Sequence, residues 1–243
     1  MNWLLKARGD RRGSLRDEAL TTGHEHLDHE MLVVTEAILK GVKRGRLDRS
    51  DACVLLDPLG IYELCSDRHL SPAAHVISRR YGLQFSSMEV GFSDARWDDG
   101  RMSGSRAGLA EISDTWEGVS ARVSIHARFR QNPHLIAAVV CHELGHVLLT
   151  LIDDLFPEPP SEIQTDLAMF VCGMGKLPLN TLNRAFHVGY LSREEMIHAY
   201  YQACVYSAVP FEEAHAGLDR HAARALTRYR RAWCRQLGGS LAP

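Results

Sequence analysis

Two histidines and a glutamate lie close together in the apolar segment NPHLIAAVVCHELGHVLLTLID, residues 132–153. His142 and His146 are four residues apart, so in a helix they lie on the same face, about one turn from each other. Two imidazoles at that spacing can bind one tetrahedral cation, and Glu143 beside them can act on a water molecule without being a ligand. The H-E-x-x-H spacing therefore predicts a metal site that carries its own general base.

The apolar flanks of this motif weigh against a second interpretation, in which the two histidines are core residues bonded to backbone carbonyls. Residues 137–141 and 147–149 are apolar, and a helix that is apolar nearly all round is a buried one. In the second interpretation Glu143 would be an acid without a partner inside that buried helix, which is costly. A metal site gives the same acid a role.

A catalytic zinc site needs a third protein ligand and one open position. A further G-x-x-H after the motif would supply a third histidine, but Leu149 and Ile152 occupy those positions. Glu162 and Asp166 on the next predicted helix are again four residues apart and share a face. We expect Glu162 to be the third ligand and Asp166 to accept the second ring N–H of a ligand histidine. Asp166 as the ligand instead, or Glu162 as an acid that only favours the helix N-terminus, remain alternatives.

The elements around these residues can be predicted from turn residues and periodicity. Asn132-Pro133 opens the motif helix, which runs to about Ile152, and Ser161 with Gln164 forms a capping box after the linker PEPPS. Residues 119–129 alternate between apolar and polar side chains and predict a strand, and residues 83–92 predict another. The turn-rich residues 93–108 predict a loop.

Helical patterns dominate the rest of the chain. Helices are predicted over about 25–44, within 48–64, over 71–80 and through most of 179–237. We therefore expect an α+β fold that is mostly helical, with a small sheet next to the motif helix. Two parts are predicted: a helical N-terminal segment, residues 1–70, and a domain that contains the motif helix, residues 71–243, which could also form one continuous domain.

The composition of the chain limits the partners and the compartment that we expect for the protein. The net charge of the 243 residues is −2, so the composition gives no reason to expect nucleic acid or an anionic membrane as the main partner. The N-terminal apolar run is too short for a signal peptide, and the chain has no apolar stretch near the ~18 residues of a membrane span. Six cysteines without a C-x-x-C pair are typical of reduced thiols, and we expect a cytoplasmic protein.

The motifs together resemble a known group of enzymes. HELGH followed by E-x-x-x-D on the next helix is similar to the gluzincin arrangement of zinc metallopeptidases. This resemblance implies a zincin-like metallopeptidase domain over residues 71–243. The longer string NPHLIAAVVCHELGHVLL, then EIQTDL, VCGMGK and GYLS, resembles a family of uncharacterised bacterial metallopeptidase-like proteins over about residues 119–205. The resemblance implies His142, His146 and Glu162 as zinc ligands, Glu143 as base and Asp166 as the acceptor behind a ligand. Residues 1–118 resemble no family, and the motif is specific for the site but not for a substrate.

These observations predict a zinc-dependent endopeptidase that acts on a specific protein or peptide substrate. The alternative is a non-catalytic regulatory or interaction protein with a structural metal site. A donor to the oxyanion is also needed, and His187 and Tyr190 are the preferred candidates among the downstream histidines and tyrosines, which also include His198, Tyr200 and Tyr201. We also expect the strand at 119–129 to pair with an extended substrate.

Three further features are weaker signals. The acid- and histidine-rich residues 24–30 predict a solvated helix start, since their helical pairs do not bring three good ligands together, with weak surface metal binding as the alternative. Cys141 points away from the adjacent ligand and is expected to be a buried thiol. The arginines from Arg220 to Arg235 have helical spacing, which usually indicates a solvated face, with contact to nucleic acid or an acidic partner as the alternative.

Overall fold

The computed structural model describes residues 24–48, 55–94, 107–115, 118–156, 158–182 and 188–236. The fold is α+β and mostly helical, with one small mixed sheet, as predicted. The helices of the described ranges are α1 (Glu25–Lys43), α2 (Pro58–Ser66), α3 (Leu70–Tyr81), α4 (Pro133–Leu151), α5 (Glu162–Val171), α6 (Lys176–Leu179), α7 (Arg193–Tyr206), α8 (Phe211–His215) and α9 (Arg220–Gln236). The strands are β1 (Ser87–Ser93), β2 (Gly108–Thr115) and β3 (Gly118–His126), and short 3₁₀ turns lie at Ala127–Phe129 and Asp153–Leu155.

Strand β3 is the middle strand of the sheet. It pairs in parallel with β1, where Ser87 lies opposite Ser120, and antiparallel with β2, where Gly108 lies opposite Ile125. Ala121, Val123 and Ile125 are buried, whereas the residues that alternate with them, 122, 124 and 126, are not, so the period-two pattern is confirmed. The sheet therefore has one face in the core.

The predicted strands differ from the observed ones in two respects. The strand predicted at 119–129 ends at His126 and turns into the 3₁₀ segment, while β2 was not predicted at all. The alternation in GLAEISDT is weak because Gly108 and Ala110 add little apolar side chain to the face of Ile112, while Leu109 lies on the other face. The prediction of an extended substrate on residues 119–129 is wrong for this sheet, since β3 already has a partner on each side.

Helix α4 is the central element of the fold. The Asn132 side chain accepts a hydrogen bond from the Leu135 N–H (3.2 Å), and Pro133 follows in the first turn, as predicted. The helix packs against α2, α3, α5 and α6 and against strands β2 and β3. It is the one helix of the described ranges long and apolar enough to cross a membrane, but 78% of that apolar window is buried inside the protein, as in the core helix of a soluble protein.

Helix α5 lies against α4 and begins at a defined residue. Ser161 and Gln164 form the predicted capping box, in which each side chain bonds to the other residue's backbone N–H. Gln164 also donates to Glu30 of α1 (2.7 Å). The start of α5 is therefore held in place by its own capping box and by a hydrogen bond to α1.

One continuous core joins the remaining helices to this centre. Helix α1 packs on α5 and α7, α2 on α4, and α9 on α7. The buried apolar residues extend from Leu27 to Leu226 within a single cluster. The division into residues 1–70 and 71–243 stays a prediction, and the first 23 residues lie outside the described part of the chain.

Candidate metal centre

Helix α4 places the three motif residues at the contact with α5. His142 and Glu143 are buried, with 6% and 7% of their surface exposed, whereas the His146 side chain is 37% exposed. The site is therefore closed on the side of the first histidine and open on the side of the second. Such an arrangement leaves an approach for a small molecule or a peptide.

Glu162, at the first position of α5, completes a triangle of potential ligand atoms. Nε2 of His142 and Nε2 of His146 are 3.2 Å apart, and Oε2 of Glu162 lies 3.4 Å from the first and 3.0 Å from the second. The structure thus brings together the three residues predicted as ligands. They also form the one histidine, cysteine and carboxylate group of metal-binding size within the described residues.

The triangle has the dimensions of a tetrahedral metal site. Bonds of about 2.0–2.1 Å to a tetrahedral ion place its ligand atoms about 3.3–3.4 Å from one another. The three measured separations of 3.0–3.4 Å are close to this value. Moreover, Oε2 of Glu162 is closed off from solvent without a well-aligned hydrogen bond. The residues present therefore fit a cation held by two imidazoles and one carboxylate.

Each imidazole has a second polar contact that fixes its orientation. Nδ1 of His142 lies 2.9 Å from Oδ1 of Asp166, and Nδ1 of His146 lies 3.3 Å from Oγ1 of Thr165. The Thr165 hydroxyl donates to the Ser161 carbonyl (3.2 Å), so its oxygen can accept from His146. With the hydrogen on Nδ1, both Nε2 lone pairs face the third ligand. Asp166 lies where it was predicted; Thr165 was missed, although it precedes Asp166 on the same helix.

Asp166 also binds the backbone of the segment before α7. Its side chain is fully buried, and Oδ2 accepts the N–H groups of Tyr190 and Leu191, the latter at 3.0 Å. Gly189 has φ of +102°, and a Cβ atom there would lie 2.5 Å from Oδ1 of Asp166. Only glycine fits at this position, because both the backbone angle and the space exclude a side chain.

The charges of the site compensate one another even without a metal ion. Burial lowers the pKa of His142, but the contacts with Asp166 and Glu162 raise it more, to about 10. Burial raises the pKa of Glu162, and its proximity to His142 and His146 lowers it well below its usual range. A proton on His142 thus carries the positive charge that this acidic environment favours. A divalent cation would satisfy the same requirement more fully.

Glu143 faces the first residue of β2. A Cβ atom on Gly108 would lie 2.8 Å from both Cγ and Oε1 of Glu143 and 2.6 Å from Cγ1 of Val139. The backbone of β2 therefore touches the predicted base directly, which a strand without glycine at this point could not do. This contact places an outer strand of the sheet beside the candidate centre.

Of the residues predicted as oxyanion donors, those that the structure describes lie at different distances from the candidate metal ligands. Tyr190 is 61% exposed, and its ring lies roughly parallel to that of His142 with centroids 6.2 Å apart. His187 lies outside the described residues. His198 is fully buried between Asp28 and Tyr229, and the Tyr200 hydroxyl donates to the Ala214 carbonyl (2.7 Å). Tyr190 is therefore the candidate that the structure brings to the site.

The structure bears on two of the weaker sequence signals, the segment 24–30 and Cys141. In the segment 24–30, Glu25, His26 and His29 are exposed, as the prediction of a solvated helix start requires. Asp28 departs from that prediction, because it is buried and lies 2.9 Å from Nε2 of His198. Cys141 is fully buried, as predicted, and burial raises the pKa of its thiol to about 12. Such a thiol is a poor metal ligand at neutral pH.

A cleft of about 490 Å³ opens beside His146. The end of α4 and the connection to α5 line it, including Thr150, Asp153, Glu158 and Pro160. Of the three candidate ligands, His146 alone lines the cleft, which therefore reaches the candidate centre at one side of that residue.

No family model, no curated protein and no solved structure matches the chain. The resemblance to gluzincins thus rests on the motif residues and their spacing, and stays a prediction.

We predict that the affinity of the metal-free protein for Zn²⁺ rises with pH. Because the pKa of His142 is about 10, its imidazole holds a proton at neutral pH, and the ion must displace that proton to bind. Affinity should therefore increase about tenfold per pH unit between about pH 6.5 and 8.5. Competition with a chromophoric chelator, corrected for the chelator's own protonation, measures it.

The Asp166→Asn variant is the control for this measurement. It removes the carboxyl group that raises the pKa of His142, so the pH dependence should become shallower in the upper part of the range. An affinity for Zn²⁺ that does not change with pH in the wild type would contradict the electrostatic account of His142.

Proposed function

We propose that this protein is a zinc-dependent endopeptidase. The observation that carries the proposal is the triangle of His142, His146 and Glu162, with Glu143 adjacent to the first ligand. Two imidazoles, one carboxylate and an open position are the ligand set of catalytic rather than structural zinc. When bound, zinc supplies Lewis-acid chemistry, polarising a carbonyl and making a water molecule more acidic.

Glu143 acts as the general base in this proposal. Its burial beside β2 restricts its carboxylate to one region, between the sheet and the ligand face of α4. From there it takes a proton from the attacking water and passes it to the leaving amine. An acid immediately after the first ligand has no comparable use in a structural site.

The alternative is a non-catalytic protein whose metal site is structural. Structural zinc sites have four protein ligands and are closed to solvent. Here the side chains of His146 and Glu162 are 37% and 42% exposed, and a cleft opens beside His146. The accessible side of the triangle favours the catalytic proposal.

A peptide substrate would bind in extended form along β2. Among the described strands, β2 is paired only on its β3 side, so its other edge can accept a further strand. The strand begins at Gly108, which touches Glu143. A peptide added to this edge would pass the base and the metal ligands. This proposal replaces the earlier expectation that the substrate pairs with β3.

Tyr190 is proposed to donate a hydrogen bond to the oxyanion. Its backbone N–H is held by Asp166, which in turn contacts the ligand His142. The exposed ring lies roughly parallel to that imidazole, with the two centroids 6.2 Å apart. The tyrosine is thus positioned by the residue that orients a ligand, which would couple the donor to the metal centre.

We place the enzyme in the cytoplasm, with a protein or peptide as its substrate. The cysteines of the described residues are free and buried, which suits a reducing compartment.

Glu143→Gln should abolish peptide hydrolysis while the protein stays folded. The amide keeps the shape of the side chain but cannot take a proton, and loss of general-base catalysis costs about 10²–10⁴-fold in rate. Cleavage of a quenched fluorescent peptide library by zinc-loaded protein measures it. Glu194→Gln, an exposed change on α7, is the matched control and should keep full activity. Equal activity of wild type and Glu143→Gln would contradict the proposed mechanism.

Tyr190→Phe should lower kcat by about 10²–10³-fold, with little change in KM, because a donor to the oxyanion acts mainly in the transition state. The backbone contact with Asp166 is unaffected by this change. Steady-state kinetics on a peptide cleaved by the wild type measures both constants. A purely structural ring would give an unchanged kcat in Tyr190→Phe, and that result would remove Tyr190 from the mechanism.

A further inference from the structure

Helix α9 contains six arginines and no acidic residue, in a protein whose net charge is −2. Five of the arginines follow one another at intervals of four, four, three and four residues, so they lie on one face of the helix. All five are exposed. They are called here the arginine stripe: Arg220, Arg224, Arg228, Arg231 and Arg235.

The opposite face of α9 fixes the stripe to the protein. Ala222, Leu226 and Cys234 are buried, and the helix packs on α7. The Tyr229 hydroxyl lies 2.6 Å from Nδ1 of the buried His198, which anchors the middle of the helix. The sixth arginine, Arg230, is not part of the stripe and lies over the Phe211 ring, 4.2 Å from its centroid.

Within the described part of the chain, the stripe has no carboxylate partner. Other exposed arginines do pair, as Arg46 does with Asp154 and Arg122 with Glu89. None of the five forms an ion pair there, and the acid that precedes them, Asp219, caps the helix through the N–H groups of residues 221 and 222. Like charges one turn apart destabilise a helix. An anionic partner would offset this repulsion.

We propose that the arginine stripe binds the phosphate backbone of duplex nucleic acid. The stripe spans the sixteen residues 220–235, which extend over about 22 Å of helix. A duplex carries one phosphate for about every 1.7 Å of its axis. The stripe contains arginine alone, whose planar guanidinium binds phosphate oxygens in pairs. A regular row of arginines is therefore complementary to a regular row of phosphates.

The structure favours this partner over two others. A helix that enters a membrane surface exposes apolar residues beside its basic ones, but those of α9 are buried against α7. An acidic protein offers no comparable regularity of charge. The contact would be independent of base sequence, because the aromatic residues of α9 pack on one another and on Tyr201. The net charge of the chain predicted no nucleic-acid partner. Binding to phosphate depends, however, on the electrostatic potential at the contact surface, which the stripe makes positive.

Binding of a fluorescein-labelled DNA duplex of about 20–30 base pairs to the full-length protein tests the proposal, by fluorescence anisotropy between about 50 and 200 mM NaCl. For five phosphate contacts, log Kd should rise with log [NaCl] with a slope of about 4–5. The triple variant Arg224→Gln, Arg228→Gln and Arg231→Gln should lower that slope by about 3 and weaken binding more than about tenfold at the lowest salt concentration.

The control is Lys40→Gln, Lys43→Gln and Arg79→Gln, which removes the same charge from exposed positions on α1 and α3. It should leave the slope unchanged. Circular dichroism should show the same helix content in both variants. Absence of duplex binding by the wild type at the lowest salt concentration would overturn the proposal, as would equal losses in the two variants. So would equal or tighter binding of a polyglutamate peptide or of vesicles with anionic lipid, which would assign the stripe to a different partner.

Discussion

The carboxyl group of Asp166 is fully buried. Its polar contacts join three separate parts of the chain: α5, α4 and the segment before α7. One oxygen faces His142 on α4, and the other accepts the N–H groups of Tyr190 and Leu191 in the segment before α7. Because a buried acid without partners is costly, these contacts are a constraint on the fold as well as on the site. The orientation of one candidate ligand and the position of Tyr190 both depend on it.

The same constraint explains why the site suits a cation. Three carboxylates lie close to the two imidazoles at the contact between α4 and the start of α5: those of Glu143, Glu162 and Asp166. The neighbouring residues of α4 are apolar and buried. Without a metal, a proton on His142 balances part of the negative charge, which is why its pKa is raised to about 10. A dry environment strengthens such interactions. The apolar helix that makes α4 central to the core therefore also makes its polar residues effective.

The sequence predicted well what local periodicity determines. The i, i+4 spacing of His142 with His146, and of Glu162 with Asp166, depends only on helix geometry, and the caps at Asn132 and Ser161 are local as well. What depends on distant parts of the chain was missed: the outer position of β2, its contact with Glu143, and the burial of Asp28 against His198. The contact of Asp166 with the segment before α7 likewise joins residues about twenty-four positions apart and leaves no local pattern. Tertiary packing determines these features.

Metal content tests the central claim most directly. Inductively coupled plasma mass spectrometry on protein purified without added metal should find about one zinc per chain in the wild type and in Glu143→Gln, and little in Glu162→Ala, because only the last change removes a ligand. The matched variants separate loss of a ligand from loss of an acid near the site. Wild-type protein without zinc, or zinc retained in full by Glu162→Ala, would contradict the assignment of His142, His146 and Glu162 as a metal centre.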